Sequence, residues 1–131
     1  MPNVITSPTP KSARKILAVL DDLFFQVKIN EAAKRAGLPI EFVKSEVDAV
    51  EKAKASPQLI ILDLNCGSLD SLALIQKLKA SDETRKVDII GYVSHVQGEL
   101  KLKAQEAGCN SVLARSAFSV NLPQILKRHS A

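Results

Sequence analysis

The chain has 131 residues, enough for one domain with a buried core and too few for a second domain of ordinary size. Its apolar fraction of 46% is that of an ordinary globular protein, and no apolar run approaches the roughly 20 residues that cross a bilayer. We therefore expect a soluble single-domain protein without a membrane span.

The formal net charge of +4 comes from the amino-terminal residues. Lys11, Arg14 and Lys15 precede the first acidic residue, and they leave 15 basic and 14 acidic side chains in the rest of the chain. Residues 1–14 are rich in Pro, Ser and Thr and lack an apolar core, which indicates a flexible tail rather than a signal peptide. One domain is predicted over residues 15–131, with a nearly neutral charge that does not favour nucleic acid as a partner.

The cysteines and histidines do not form a recognisable metal or disulfide pattern. Cys66 and Cys109 lack the paired spacing that a disulfide framework or a zinc site requires. Neither His95 nor His129 has a second His or Cys at helical spacing. We therefore expect the protein in a reducing cytoplasm.

Five short apolar runs follow the tail and alternate with segments of helical period, which is typical of βαβ units around a parallel sheet. The predicted strands are residues 15–20, 40–43, 59–62, 87–92 and 111–114. Right-handed crossovers place helices on both faces of such a sheet. The sequence therefore predicts an α/β fold, a flavodoxin-like doubly wound (βα)5 sandwich with a parallel five-stranded sheet of order 2-1-3-4-5.

The helices are predicted from capping residues and apolar stripes. The first covers residues 23–36, and Ser45 is predicted to cap the second. An apolar stripe marks the third helix, and residues 97–107 form a more polar fourth. The fifth is predicted to begin near Ser119, with Pro123 in its first turn.

Polar side chains follow the predicted strands at the point where each strand ends. Asp21 and Asp63 end strands one and three, which border the topological switch point of this strand order. Ser94 follows strand four and Arg115 follows strand five, so a hydroxyl and a permanent cation join the same edge. Two carboxylates, a hydroxyl and a guanidinium are suited to Mg²⁺ and a phosphoryl group.

Over residues 15–127 the chain resembles the response-regulator receiver domain of two-component signalling. Asp63 falls on the phosphoacceptor aspartate of that family, and Asn65 on the position whose backbone carbonyl binds Mg²⁺. Ser94 matches the switch Ser/Thr, and residues 107–110 match the Ala-Gly-Ala-x run that precedes the family's lysine. The resemblance implies phosphorelay signal transduction, with Asp63 as the site of phosphorylation.

The chain also departs from the family's pattern. Asp21 aligns with the second acid of the family's acidic pair, Leu20 replaces the first, and Asp22 lies one place late. Arg115 replaces the family's lysine, and Ser116 replaces the proline that follows it. Val112 takes the place of the aromatic switch residue, and His95 takes the place of the small residue after the switch Ser/Thr. The resemblance thus implies weak Mg²⁺ binding by Asp21, Asp63 and the backbone of Asn65, with Asp22 as a further candidate.

Each site residue also has a purely structural interpretation. Asp63 could be a turn residue after a buried strand, and Asp21 and Asp22 could cap the first helix. Ser94 could be an ordinary strand-end hydroxyl. We expect Arg115 to form an ion pair with Asp63 in the metal-free, unphosphorylated state, because the alignment places the guanidinium across the pocket from that carboxylate.

The resemblance implies a stand-alone receiver that accepts a phosphoryl group on Asp63 from a sensor histidine kinase or a phosphotransfer protein. The downstream protein is expected on the face formed by the fourth and fifth helices and the strand between them, with neither nucleic acid nor membrane as a partner. The alternative is a pseudo-receiver, a protein-interaction module independent of phosphorylation. An enzyme is not expected, because the resemblance implies a switch. A haloacid-dehalogenase-type phosphatase would need a second aspartate where the chain has Asn65, and no glycine loop that would bind a nucleotide opens a helix.

Overall fold

The computed structural model describes residues 15–94 and 98–129. These residues form five strands that alternate with five helices. The strands are β1 (Ile16–Val19), β2 (Ile40–Val43), β3 (Leu59–Asp63), β4 (Ile89–Val93) and β5 (Ser111–Ala114). The helices are α1 (Leu23–Ala36), α2 (Glu46–Ala53), α3 (Ser71–Ala80), α4 (Gly98–Ala107) and α5 (Arg115–Arg128). All pairings are parallel and the strand order is β2-β1-β3-β4-β5, so the predicted fold and topology are confirmed.

The central strands are apolar along their whole length because helices cover both faces of the sheet. In β3, Ile60 and Leu62 belong to the hydrophobic core on one face, while Leu59 and Ile61 belong to the core on the other. This alternation leaves Asp63, the last residue of the strand, half-buried at the carboxyl edge. Burial of the strand therefore fixes the position of the carboxylate.

The predicted start of α5 is wrong. The helix begins at Arg115, directly after β5, and Pro123 lies inside it rather than in its first turn. Phe118 and Leu122 are both buried, so the apolar stripe begins before the predicted start at Ser119. Packing of this stripe offsets the hydrogen bond that the proline cannot donate. The other predicted boundaries agree with the structure or differ from it by at most two residues, the usual scatter at element ends.

Side chains cap the first turns of α1 and α2. Asp22 Oδ1 accepts from the backbone N–H of Phe25 at 3.2 Å, which makes Asp22 the N-cap of α1. Ser45 Oγ accepts from the N–H of Asp48 at 3.1 Å, so the predicted cap of α2 is confirmed. These bonds satisfy N–H groups that have no partner within their own helix.

One lysine ties together the connections at the amino edge of the sheet. Lys79 Nζ donates to the carbonyls of Arg85 and Val87 at 3.0 and 2.9 Å, and to Asn110 Oδ1 at 3.1 Å. The same amide oxygen accepts from the N–H of Ile89 at 2.9 Å. The lysine clamp, formed by Lys79 and Asn110, therefore joins the segment before β4 to the segment before β5.

Within residues 15–94 and 98–129, no helix combines the length and the apolar character that a membrane crossing requires.

Candidate functional site

The predicted site residues follow four strands whose carboxyl ends meet at one edge of the sheet. Asp21 lies two residues after β1, and Asp63 is the last residue of β3. Ser94 follows β4, while Arg115 follows β5 as the first residue of α5. The parallel sheet thus brings these four positions to a single edge, as the sequence predicted.

Asp63 lies in a pocket of clustered negative charge. Its Oδ1 accepts from the N–H of Asn65 at 2.8 Å, a bond that orients the carboxylate. Burial, together with the charges of Asp21 and Asp22, raises the pKa of Asp63 above its ordinary value, although the Asn65 N–H and Arg115 act in the opposite direction. The pocket therefore favours either a proton or a cation beside Asp63.

Arg115 pairs with Asp22, so the predicted ion pair with Asp63 is wrong. The guanidinium Nη2 donates to Asp22 Oδ2, and its central carbon lies 4.6 Å from the centre of the Phe25 ring. Burial alone would raise the pKa of Asp22, but the N–H of Phe25 and the guanidinium together lower it. The physical reason is the early start of α5, which places Arg115 against the first turn of α1 and gives the guanidinium both an acid and an aromatic face.

The two neighbouring aspartates have different surroundings. Asp22 caps α1 and holds Arg115, which confirms the capping interpretation for this residue and engages both of its carboxylate oxygens. Asp21 is exposed, and its Oδ2 would lie 3.9 Å from a Cβ built on Gly67, so its carboxylate faces the loop after β3. Asp21 is therefore the better placed of the two to share a cation with Asp63.

Ser94 is bound to the side chain of Asn65. Asn65 Oδ1 accepts from the Ser94 N–H at 2.8 Å and from the Ser94 hydroxyl at 3.1 Å. Sequence reasoning assigned Asn65 a role through its backbone alone and missed this side-chain bridge. The bridge links the loop after β3 to the end of β4, next to the carboxylate of Asp63.

Leu20 and Val112, two of the residues that depart from the family's pattern, are both part of the protein core. Leu20 is fully buried, so the place of the missing acid is filled by core packing. Val112 is also buried and belongs to the core on the opposite face from Phe25. His95 lies outside the described residues.

An aromatic cluster beneath Arg115 was not found from the sequence. The rings of Phe25, Tyr92 and Phe118 lie 4.8 to 5.9 Å apart between their centres. In the described part of the chain, the buried Tyr92 hydroxyl has no hydrogen-bond partner. Burial, followed by the charge of Asp63, raises the pKa of Tyr92 far above its ordinary value. All three residues belong to the hydrophobic core on one face of the sheet, and no spacing in the sequence indicated this.

The donor set at the edge suits a hard divalent cation. Asp21 and Asp63 supply carboxylate oxygens, and their mutual repulsion is part of what raises the pKa of Asp63. Among residues 15–94 and 98–129, no group of three His, Cys, Asp or Glu side chains is placed to hold a metal ion. Of the predicted ligands, Asp21 and Asp63 thus offer two carboxylates at this edge, and no third side chain of these types in the described residues completes a metal site with them.

Comparison with known proteins gives a consistent result, although no family model matches the chain. The acid tolerance regulatory protein ActR of Sinorhizobium medicae (strain WSM419) is 28% identical over 110 residues, which cover 77% of this chain and 57% of that protein. A protein-glutamate methylesterase/protein-glutamine glutaminase of Anaeromyxobacter dehalogenans (strain 2CP-C) is 28% identical over 109 residues, 82% of this chain and 31% of that protein. The chain thus spans little more than half of the first relative and about a third of the second.

The structural match is more complete. The crystal structure of the receiver domain of sensor histidine kinase PA1611 from Pseudomonas aeruginosa PAO1, with a magnesium ion coordinated in its active-site cleft, is 26% identical to this chain. The match covers 90% of this chain and 98% of that domain, with a TM-score of 0.77. The chain therefore has the fold of a response-regulator receiver domain, and the resemblance to this family that the sequence predicted is confirmed.

Proposed function

We propose that this chain is a stand-alone receiver that accepts a phosphoryl group on Asp63 and passes the signal on by protein contact. The observation that carries the proposal is the half-buried carboxylate of Asp63, which is close enough to Asp21 to be affected by its charge and is bound by the N–H of Asn65, the residue whose side chain holds the Ser94 hydroxyl. The donor is a sensor histidine kinase or a phosphotransfer protein. In the transfer, an oxygen of Asp63 bonds to phosphorus, the bond from phosphorus to the donor nitrogen breaks, and the electron pair stays with that nitrogen.

The chain's residues have distinct roles in this proposal. The N–H of Asn65 holds Asp63 Oδ1, so we assign Oδ2 as the attacking oxygen. Asp21, Asp63 and the backbone carbonyl of Asn65 would hold Mg²⁺, which neutralises the carboxylates and the oxygens of the transferred group. The Ser94 hydroxyl would hold the phosphoryl product once it leaves the Asn65 side chain. Arg115 could join it only by leaving Asp22.

The receiver role implies a signalling module rather than a metabolic enzyme. We propose that its downstream partner is a protein that docks on the α4-β5-α5 face, and that neither nucleic acid nor membrane is involved. We also propose the cytoplasm as its location, in keeping with the free, buried thiols of Cys66 and Cys109.

The pseudo-receiver is the second candidate, and one observation favours it. The Arg115 guanidinium is engaged by Asp22 and the Phe25 ring, and buried Leu20 takes the place of the first acid of the family's pair. A pocket arranged in this way would keep one conformation without turnover of phosphate.

Treatment with a small phosphodonor distinguishes the two candidates. Wild type, Asp63→Asn and the control Asp82→Asn would be incubated with phosphoramidate, with and without Mg²⁺, and followed by intact mass. Asp82 is a suitable control because its side chain is 90% exposed. We expect one phosphoryl group on wild type and D82N, dependent on Mg²⁺, and none on D63N. A label on D63N would exclude Asp63 as the acceptor, and no label on any protein would favour the pseudo-receiver.

A further inference from the structure

The hydroxyl of Tyr92 is buried without a partner. The side chain is 1% exposed, and in the described part of the chain its oxygen makes no hydrogen bond. An unpaired buried hydroxyl destabilises a protein, and phenylalanine would fill the same space without that cost. A tyrosine at this position is explained if its hydroxyl is bound in a second state of the protein.

The strand register places Tyr92 beside Asp63. The two residues are partners in the pairing of β3 with β4, so their side chains lie on the same face of the sheet. Tyr92 belongs to the core on that face, whereas Val112, at the position of the family's aromatic switch residue, belongs to the core on the other. Tyr92 therefore does not stand in for that switch residue.

Phe25 connects Tyr92 to the ion pair of Asp22 and Arg115. The Phe25 ring lies 4.8 Å from the Tyr92 ring and 4.6 Å from the central carbon of the guanidinium, and the Phe25 N–H donates to Asp22. Burial, followed by the charge of Asp63, raises the pKa of Tyr92. The charge of Arg115 lowers the same pKa, and that of Asp22 raises it. The hydroxyl is therefore close enough to respond to both members of the ion pair.

Asp22 is the acceptor that suits this hydroxyl. Its Oδ2 accepts from Arg115, so this oxygen becomes free only when the guanidinium turns away. Asp63 is less suitable, because its Oδ1 already accepts from the N–H of Asn65 and its Oδ2 is the oxygen that would bond to phosphorus. A guanidinium attracted to the phosphoryl group would leave two unpaired groups near the same phenylalanine ring, an oxygen of Asp22 and the buried hydroxyl.

We propose that Tyr92 is a positioning residue: its hydroxyl takes over Asp22 Oδ2 when the Arg115 guanidinium turns to the phosphoryl group. This inference rests on the proposed receiver function, because the phosphoryl group supplies the attraction that moves the guanidinium. The new hydrogen bond keeps Asp22 in place as the cap of α1 and offsets part of the lost ion pair. Tyr92 thereby lowers the free energy needed to release Arg115.

The exchange has a spectroscopic signature, because Tyr92 is the chain's single tyrosine and the chain has no tryptophan. A phenol that donates a hydrogen bond to a carboxylate absorbs at longer wavelength than an unpaired phenol. Arg115→Ala releases Asp22 without a phosphodonor, and we expect it to shift the tyrosine band to longer wavelength. Arg85→Ala is the matched control, because Arg85 forms an exposed ion pair with Asp82, and it should leave the band unchanged.

Two double variants identify the acceptor. The shift should be absent from R115A/D22A and should persist in R115A/D63N. Circular dichroism would check that each variant is folded. An unshifted band in R115A, or a shift that depends on Asp63 rather than on Asp22, would overturn the proposal.

The melting temperature gives a second readout. Tyr92→Phe removes an unpaired hydroxyl from wild type, so it should leave the melting temperature unchanged or raise it. In the R115A background the same substitution removes a bound hydroxyl, so it should lower the melting temperature. An effect of the same sign and size in both backgrounds would contradict the exchange.

Beryllofluoride with Mg²⁺, a stable mimic of a phosphoryl group on an aspartate, separates failure of the exchange from failure of the receiver function. Fluorine nuclear magnetic resonance would report bound fluoride, and the tyrosine band would report the state of the hydroxyl. We expect both signals in wild type and neither in D63N. Bound fluoride without the shift would overturn the exchange alone. A shift in R115A with no bound fluoride in wild type would instead reject the receiver function, and with it the trigger of the exchange.

Discussion

The guanidinium of Arg115 is paired with Asp22, the residue that caps α1, and it lies over the ring of Phe25. This contact joins the first residue of α5 to the first turn of α1, directly beside the acidic pocket. The cation that a phosphoryl group on Asp63 would attract is therefore already engaged by the packing of two helices. Any phosphoryl contact by Arg115 has to compete with Asp22.

The charge and the cap of Asp22 can be separated by two substitutions. Asp22→Asn keeps an oxygen for the N–H of Phe25 but loses the ion pair, so we expect a loss of at most ~1 kcal/mol. Asp22→Ala also loses the cap and should cost about 1 kcal/mol more.

Because the folded pKa of Asp22 is lowered, its stabilising charge is present above pH 3.8 and lost as the pH falls through the folded pKa. Urea unfolding should therefore show wild type and D22N converging in strong acid. A constant difference at all pH values would contradict the ion pair.

Asp63→Asn should stabilise the metal-free protein at neutral pH. The raised pKa of Asp63 means that ionisation costs the folded state more than the unfolded chain, so wild-type stability falls as the pH rises from 3.8 through the raised value. Asparagine does not titrate and still accepts from the N–H of Asn65. We expect the melting temperature of D63N to exceed that of wild type by a few degrees at pH 7, with the difference closing in acid. Mg²⁺ should stabilise wild type alone. Equal melting temperatures of D63N and wild type at pH 7 would show that the pocket does not disfavour the ionised form of Asp63.

The bridge from Asn65 to Ser94 predicts a local effect on hydrogen exchange. Asn65→Ala removes the acceptor of the Ser94 N–H, whose net value is ~1 kcal/mol, so exchange of that amide should become about fivefold faster. Ser94→Ala is the matched control, because it removes the hydroxyl bond and keeps the amide bond. Nuclear magnetic resonance would follow both variants. Equal exchange rates in N65A and wild type would mean that the bridge does not protect this amide.

Gly91 packs closely against the side chain of Leu64, the residue that follows β3. A Cβ at this position would lie 3.0 to 3.1 Å from three carbons of the Leu64 side chain, so Gly91→Ala should cost about 1–3 kcal/mol. The cost should shrink in a Leu64→Ala background, which a double-mutant cycle by urea unfolding would measure. Gly98→Ala is the control, because nothing among the described residues lies within 4 Å of its added Cβ. Additive losses from G91A and L64A would contradict the contact.

The sheet could be predicted from the sequence because its signal is local. The side chains of residues 59–62 point alternately to the two faces of the sheet, and all of them are apolar. Such a run predicts a strand covered on both faces, and the acid that follows it must lie at the carboxyl edge of the sheet. The partner of Arg115 could not be predicted in the same way. The choice between Asp22 and Asp63 depends on where α5 begins, and Pro123 suggested a later start than packing against the core produces.

The aromatic cluster was beyond sequence reasoning for a related reason. Phe25, Tyr92 and Phe118 are far apart along the chain, and no spacing indicates that their rings meet. The bridge made by the Asn65 side chain was not predicted, because the family resemblance implies a role only for the backbone carbonyl of Asn65. Side-chain contacts between elements require the three-dimensional arrangement, whereas the strand order follows once the alternation of strands and helices is assigned to a flavodoxin-like doubly wound fold.

The lysine clamp at the amino edge bears on how long the folded chain persists once it has formed. Lys79 reaches the segments before β4 and β5, so its full set of bonds requires both segments to be in their native positions. Interactions completed late in folding contribute little to the folding rate and mainly slow unfolding. The clamp therefore acts on the lifetime of the native state, at the edge opposite the one where Asp63 lies.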